Sequence, residues 1–276
     1  MDFLRGLERP VRIGLEATGG YEARLWEALD ADGFRVRQLC PARVHAFARG
    51  LGRLAKSDGY DAQTIAAFVA IQPGTGRVLP PRNIRRINAL TTKRRQLIVI
   101  RKALVCQSRQ TGDGFVANMD QAHLAFLQQQ IGTLEAQIVS LIDSDADLAR
   151  KRDLLMSIPG IGPIAAITCL AEMPELGRLP CKAAGALAGL APFSRDSGTK
   201  SGKRFIRGGR AAIRAVLYMA ALSASRHNPA MKTFADRLKA KGKPAKQVII
   251  AVARKLIELA NTILARNSEW LPGARS

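Results

Sequence analysis

The segment VRIGLEATGGYEARLWEALDADGFRVRQL, residues 11–39, decides the fold class. Val11, Ile13 and Leu15 alternate at period two and read as a strand, which Thr18-Gly19-Gly20 ends in a turn. Leu25, Trp26 and Leu29 follow at helical spacing until Asp32-Gly33 stops them. Phe34 to Leu39 reads as a second strand. Working outward, Pro41 opens a helix carrying Val44, Phe47, Ala48 and Leu51, and a further helix begins near Asp58 with Ile65, Phe68 and Val69. Strands alternating with helices predict an α/β layer with an at least partly parallel sheet. Two strands fall short of the three or more that bury a sheet's face. The sheet is therefore expected either to be completed elsewhere or to belong to a chain that has lost its beginning.

From Arg82 the texture changes. Residues 82–102 hold eight basic side chains and no acidic one, with Leu90, Leu97 and Leu104 seven apart. Past Thr111-Gly112-Asp113-Gly114, apolar residues recur at Leu124, Leu127, Ile131, Leu134, Ile138 and Leu141. That 3-4-3-4-3 spacing is a heptad stripe and predicts a helical hairpin or coiled coil that serves as a spacer or dimerisation arm. From Asp153 onward the chain reads as helical with Gly-rich interruptions. In Ser157-Ile158-Pro159-Gly160-Ile161-Gly162, the glycines at 160 and 162 fit a helix-hairpin-helix turn that meets a phosphate, and equally a tight turn between packed helices. The final helix has Val248, Ile249, Val252, Leu256, Leu259 and Ile263 at core spacing.

The chain of 276 residues carries 43 Lys+Arg against 22 Asp+Glu, a formal net charge of +21, while 47% of its residues are hydrophobic. It can bury cores, so a disordered basic tail is excluded, and its charge calls for an anionic partner. The longest uncharged run, Leu154 to Ala171, contains Pro159, Gly160, Gly162 and Pro163, which excludes a spanning helix. The start has charges at Asp2, Arg5, Glu8 and Arg9 and no signal-peptide core. Cys40, Cys106, Cys169 and Cys181 are dispersed, which argues against a zinc site or a disulfide scaffold. The expectation is a cytoplasmic, reduced protein that works on DNA or RNA.

Three acids stand out by position. Glu16 follows the first strand, where a side chain projects from the sheet's carboxyl end. Asp58 and Asp61, three apart at a helix start, share one face. Either the two aspartates cap the helix, or all three acids gather around Mg²⁺ to polarise a phosphate. A second constellation is FSRDSGTKSGKRFIRGGRAAIR, residues 193–214. It is a Gly-rich loop with seven basic residues against one aspartate, and it leads into a helix. Lys200, Lys203, Arg204, Arg207, Arg210 and Arg214 are expected to grip a phosphodiester backbone. Ser197 is either a solvated turn residue or a nucleophile whose developing charge the nearby arginines offset.

The octets Leu15-Glu16-Ala17-Thr18-Gly19-Gly20-Tyr21-Glu22 and Ala55-Lys56-Ser57-Asp58-Gly59-Tyr60-Asp61-Ala62 resemble the N-terminal domain of the IS-one-ten family of insertion-sequence transposases, relatives of the pilin-gene inversion recombinases. Ser157 to Gly162, Leu190 to Gly198 and Lys203 to Arg210 look like the same family's C-terminal domain, in the same order. The resemblance implies a fold of α/β plus all-α class. It divides into a truncated RNase H-like (RuvC-like) domain over 1–80, a coiled-coil insertion over 81–150 and a helical domain with a catalytic serine over 151–276. It makes Glu16, Asp58 and Asp61 the last three members of a D-E-D-D set that binds Mg²⁺, and matches Ser197 to a serine that links covalently to DNA. It further implies donor and target DNA, a structured bridge RNA as guide, and a homo-oligomer, dimer or tetramer. The strand that carries the family's first aspartate is absent ahead of Glu16, so the expectation is a truncated or mis-started copy with impaired cleavage. Two other readings of the residues stay open: an RNase H-like nuclease or junction resolvase without a nucleophilic serine, and a non-catalytic helix-hairpin-helix nucleic-acid-binding protein.

Overall fold

The structure, a computed structural model, describes residues 2–7, 11–53, 58–110, 112–194, 198, 202 and 204–271. Ser197, Lys200 and Lys203 lie outside these residues, as do the side chains of Asp58 and Tyr60. The chain forms two compact units, Met1–Pro81 and Arg82–Ser276.

The first unit runs α1 (Asp2–Arg5), β1 (Arg12–Glu16), α2 (Ala23–Ala31), β2 (Arg35–Leu39), α3 (Pro41–Gly50) and α4 (Asp58–Ile71). β1 and β2 pair in parallel with Arg12 opposite Arg35 and Glu16 opposite Leu39, as the βαβ reading predicts. Beyond β2, a single antiparallel bridge joins Gln38 to Arg77. The period of two sorts the side chains cleanly. Ile13, Leu15 and Val36 face α2 and pack with Trp26 and Leu29. On the opposite face, Leu39 packs with Val44, Phe68 and Val69 of α3 and α4.

The turn after β1 is held by one carboxylate. Glu22 Oε2 accepts from the backbone N–H of Thr18 (3.1 Å), the Thr18 hydroxyl (2.9 Å) and the Gly20 N–H (3.0 Å), and Oε1 accepts from Gln38 Nε2 (2.7 Å). Partial burial pushes the Glu22 pKa up, but the hydrogen bonds from Thr18 and Gly20 outweigh it and hold the carboxyl at about 2.

The second unit begins with a hairpin of α5 (Arg82–Ser108) and α6 (Gly114–Asp143), followed by α7 (Ala146–Met156), α8 (Pro163–Glu172) and α9 (Cys181–Leu187). A two-residue pair, β3 (Pro192–Phe193) with β4 (Phe205–Ile206), precedes α10 (Ala211–His227), α11 (Pro229–Ala240) and α12 (Ala245–Arg266). The heptad stripe faces α5: Leu127 and Ile131 pack with Leu97, while Ile138 and Ile142 pack with Ile84 and Ile87. Asp113 starts α6 by accepting the N–H groups of Phe115 and Val116, and Asp145 starts α7 in the same way. The foot of the hairpin shares its buried cluster with Leu148 of α7 and Ile167 of α8, so it belongs to the same unit as the helices after it. Their main core joins Leu154, Leu155, Ile158, Ile213, Leu217, Val252 and Leu256. Each such side chain contributes about 1.5–3 kcal/mol by burial. Among the described residues no helix is long and apolar enough to cross a membrane.

The turn between α7 and α8 closes on α10. Gly160 has φ +106°, and a Cβ there would fall 2.5 Å from Ala224 Cβ and 2.8 Å from that residue's backbone. Gly160→Ala is thus expected to cost about 2–4 kcal/mol, read as a lowered urea midpoint with unchanged slope. Glu22→Gln tests the other unit. Because the folded carboxyl titrates below its usual 4.5, its contribution is complete above that value and is lost as pH falls through about 2. The variant should weaken protection of the β1–β2 amides at pH 7 by about 1 kcal/mol or less in hydrogen exchange, and the difference should vanish near pH 2.

Candidate active site

Glu16 is the last residue of β1 and shares a face with Arg12 and Gly14. Gly14 is where α4 lies on the strand. A Cβ built there would sit 2.7 Å from Val69 Cγ2 and 2.9 Å from Ile65 Cγ2, so no side chain larger than hydrogen fits. α4 therefore covers the face of β1 that carries Glu16, and the chain after α4 returns to α3 and β2: Arg43 donates to Gln72 Oε1 at 2.7 Å and to Thr75 Oγ1 at 2.9 Å, and Arg77 bridges Gln38. Asp61 stands one turn before Ile65 on the same stripe, and Asp58, the first residue of α4, is one turn earlier still. Asp61 thus precedes by one turn a residue that packs on the face of β1 where Glu16 is.

The approach to α4 is tied down locally. Arg53 donates to the buried Thr64 hydroxyl at 3.2 Å, and its backbone N–H reaches Ala48 O at 2.9 Å. Carboxylate oxygens are the donors that hard divalent cations take, so Glu16, Asp58 and Asp61 are of the chemistry that suits such an ion. Among the described residues no three His, Cys, Asp or Glu side chains form a metal cluster; the Asp58 side chain lies outside them. Sequence reasoning passed over Glu22. The available signal was a glutamate just past the Gly-Gly of a strand-to-helix turn, with Thr18 four residues before it.

The Gly-rich constellation forms the second part. β3 and β4 pair antiparallel with Pro192 opposite Ile206 and Phe193 opposite Phe205, and Ser197 falls between them in the sequence. The base of this pair is built on backbone contact. Gly189 (φ +70°) and Gly209 (φ +66°) cross so closely that a Cβ on Gly189 would lie 2.2 Å from Gly208 O, and one on Gly209 would lie 2.2 Å from Gly189 N. Only glycine combines that approach with a positive φ.

The expected backbone-gripping cations divide here. Arg210 is committed inward: its guanidinium donates to Glu172 O at 2.6 Å and pairs with the Glu175 carboxylate, and its N–H reaches Leu187 O at 2.9 Å. Arg214 donates to Gly208 O at 2.6 Å. Both brace the base of the β3–β4 pair. Arg204 and Arg207 are exposed, whereas Lys200 and Lys203 fall outside the described residues. The two glycines of the α7–α8 turn divide as well. Gly160 is sealed against Ala224, while Gly162, the residue before α8, has open space beside it.

Comparison with known proteins matches both halves of the chain. A family model described as "Transposase IS116/IS110/IS902 family" matches residues 152–236, and a second, for DEDD transposases and described as "Transposase", matches residues 2–117. The chain is 30% identical over 261 residues to the pilin gene-inverting protein of Moraxella bovis, an alignment covering 92% of this chain and 80% of that one. It is equally similar to the protein of the same name from Moraxella lacunata. It is also 30% identical over 143 residues to an uncharacterized 43.6 kDa protein of insertion element IS110 from Streptomyces coelicolor, covering 51% of this chain and 34% of that protein. With two family matches in order and a relative aligned along most of both chains, this protein belongs to the IS116/IS110/IS902 family of transposases, enzymes that act on DNA.

Proposed function

We propose that the chain cuts and rejoins DNA strands by metal-assisted phosphoryl transfer. Glu16, Asp58 and Asp61 are its carboxylates, on an RNase H-like (RuvC-like) domain, and Ser197 is its nucleophile. The observation that carries this reading is the seating of α4 on Gly14, which lays the helix that bears Asp58 and Asp61 on the face of β1 that bears Glu16. A bound Mg²⁺ would supply charge stabilisation for the phosphate as its P–O bonds exchange. Ser197 Oγ forms a bond to phosphorus as the bond to the departing sugar oxygen breaks, and that oxygen leaves as a hydroxyl. Rejoining reverses the exchange with a hydroxyl of another strand. Gly189 and Gly209 support the reading by fixing the backbone at the base of the β3–β4 pair, between whose strands Ser197 falls in the sequence, and Arg204 and Arg207 offer exposed charge a few residues on.

The net charge of +21 accommodates an RNA partner as well as DNA. A structured guide RNA that pairs with donor and target would leave the protein to hold backbones by geometry while base pairing reads sequence. A homo-oligomer, dimer or tetramer, would let a serine and a set of carboxylates from different copies meet at one phosphate.

The test uses the full chain with Mg²⁺, the DNA that flanks its gene and the RNA transcribed beside it. Ser197→Ala should abolish covalent protein–DNA adducts resolved on denaturing gels. Glu16→Gln and Asp61→Asn should lower strand cleavage by about 100-fold or more with DNA binding retained. Full cleavage by Asp61→Asn would remove the carboxylate site. Cleavage without any adduct in the parent chain, unchanged by Ser197→Ala, would make the enzyme a nuclease or resolvase instead. A second expectation concerns position: Gly209→Ala should keep the helical content but lower adduct formation about tenfold or more, because the backbone crossing at Gly189 must open.

A further inference from the structure

The acids of the second unit are unevenly spread. One dense basic stretch is α5, where residues 82–102 hold eight basic side chains and no acid; Arg94 there pairs with Glu135 at 2.6 Å and Arg95 with Glu172 at 3.5 Å. The other runs along α11, its connecting turn and the start of α12. Lys232, Arg237, Lys239, Lys241, Lys243 and Lys246 are all exposed, and Asp236, the one acid among residues 232–246, is taken by Lys239 at 3.0 Å. Like charges packed within a Debye length of about 8 Å repel one another unless an anion lies among them.

The array sits on a rigid support. Met231 and Ala235 of α11 and Val248 of α12 are buried in the main core. The Phe234 ring lies between two cations, with the Arg237 guanidinium 5.4 Å and Lys255 Nζ 4.9 Å from its centroid, which ties α11 to α12 and fixes where those charges stand. α12 also begins with no side-chain cap and no acid in its first turn, so the positive potential of its amino end adds to that of Lys243 and Lys246. Nothing apolar is offered: residues 239–247 are exposed throughout, and apart from Ala240, Gly242, Pro244 and Ala245 they are lysines and one glutamine. A rigid row of cations without an apolar centre complements a regular line of phosphates better than a folded protein partner.

We propose that the α11–α12 turn, centred on Lys239, Lys241, Lys243 and Lys246, is a second binding surface for the sugar-phosphate backbone of a nucleic-acid duplex, distinct in sequence from the Gly-rich constellation. It deepens the reading that the chain works on DNA, and it does not depend on the carboxylates or on Ser197. Lys241→Gln/Lys243→Gln/Lys246→Gln is the informative variant, since all three side chains are exposed. Binding of labelled 30-base-pair DNA and RNA duplexes is measured without metal across a salt series, so a failure of strand cleavage leaves the result untouched. Arg82→Gln/Arg86→Gln/Lys93→Gln removes the same charge from the exposed side of α5 and serves as the control. The turn variant should reduce the slope of log K against log salt by about 2–3, with about tenfold or greater loss of affinity near 0.1 M salt, for at least one duplex. Loss on DNA alone or RNA alone identifies which backbone the surface takes. An unchanged slope, or equal losses in both triple variants, would overturn the proposal. So would retained duplex binding with lost binding to phosphatidylserine vesicles.

Discussion

Gly14 has no side chain, and so α4 rests on β1 with only hydrogen between Ile65, Val69 and the strand. Close contact at one point fixes the helix against the strand. Everything proposed for the carboxylates depends on that seating, which puts α4 on the face of β1 that bears Glu16. The apolar faces hold the arrangement in place: Leu39, Val44, Phe68 and Val69 on one side of the two strands, Trp26, Leu29 and Val36 on the other.

The β3–β4 pair uses the same device. Gly189 and Gly209 pass backbone against backbone, and Arg210 then closes the crossing onto Glu172 and Glu175. In both units a position that admits no Cβ sets the local geometry. Arg204 and Arg207, by contrast, are exposed.

The distribution of charge carries a different lesson. A count of basic residues treats Arg210 and Lys241 alike, yet one braces a turn and the other faces water. Within α5, Arg94 is met by Glu135 and Arg95 by Glu172, while Arg82, Arg86 and Lys93 face water; around the α11–α12 turn only Asp236 opposes the excess. Net charge therefore states that an anion is needed, and pairing in space states where it goes.

The elements were legible because their signals are local. Alternation at Val11, Ile13 and Leu15 and the periods of α2 to α4 and α12 appear within a few residues of chain, as does the heptad stripe from Leu124 to Leu141. So were the places of Glu16 at a strand end and of Asp58 at a helix start, and the family itself by motif order. The sequence did not disclose the hold of Glu22 on the turn after β1, nor the seal of Gly160 on Ala224, which lies beyond four intervening elements. By itself, then, the amino-acid order determined which segments are helix or strand, where charge accumulates and what family the chain joins. Only the tertiary structure decided which face of β1 is covered by α4 and which arginines are committed inward. The reason is that both depend on partners far along the chain, such as Glu175 for Arg210, 35 residues away, and periodicity carries no record of them.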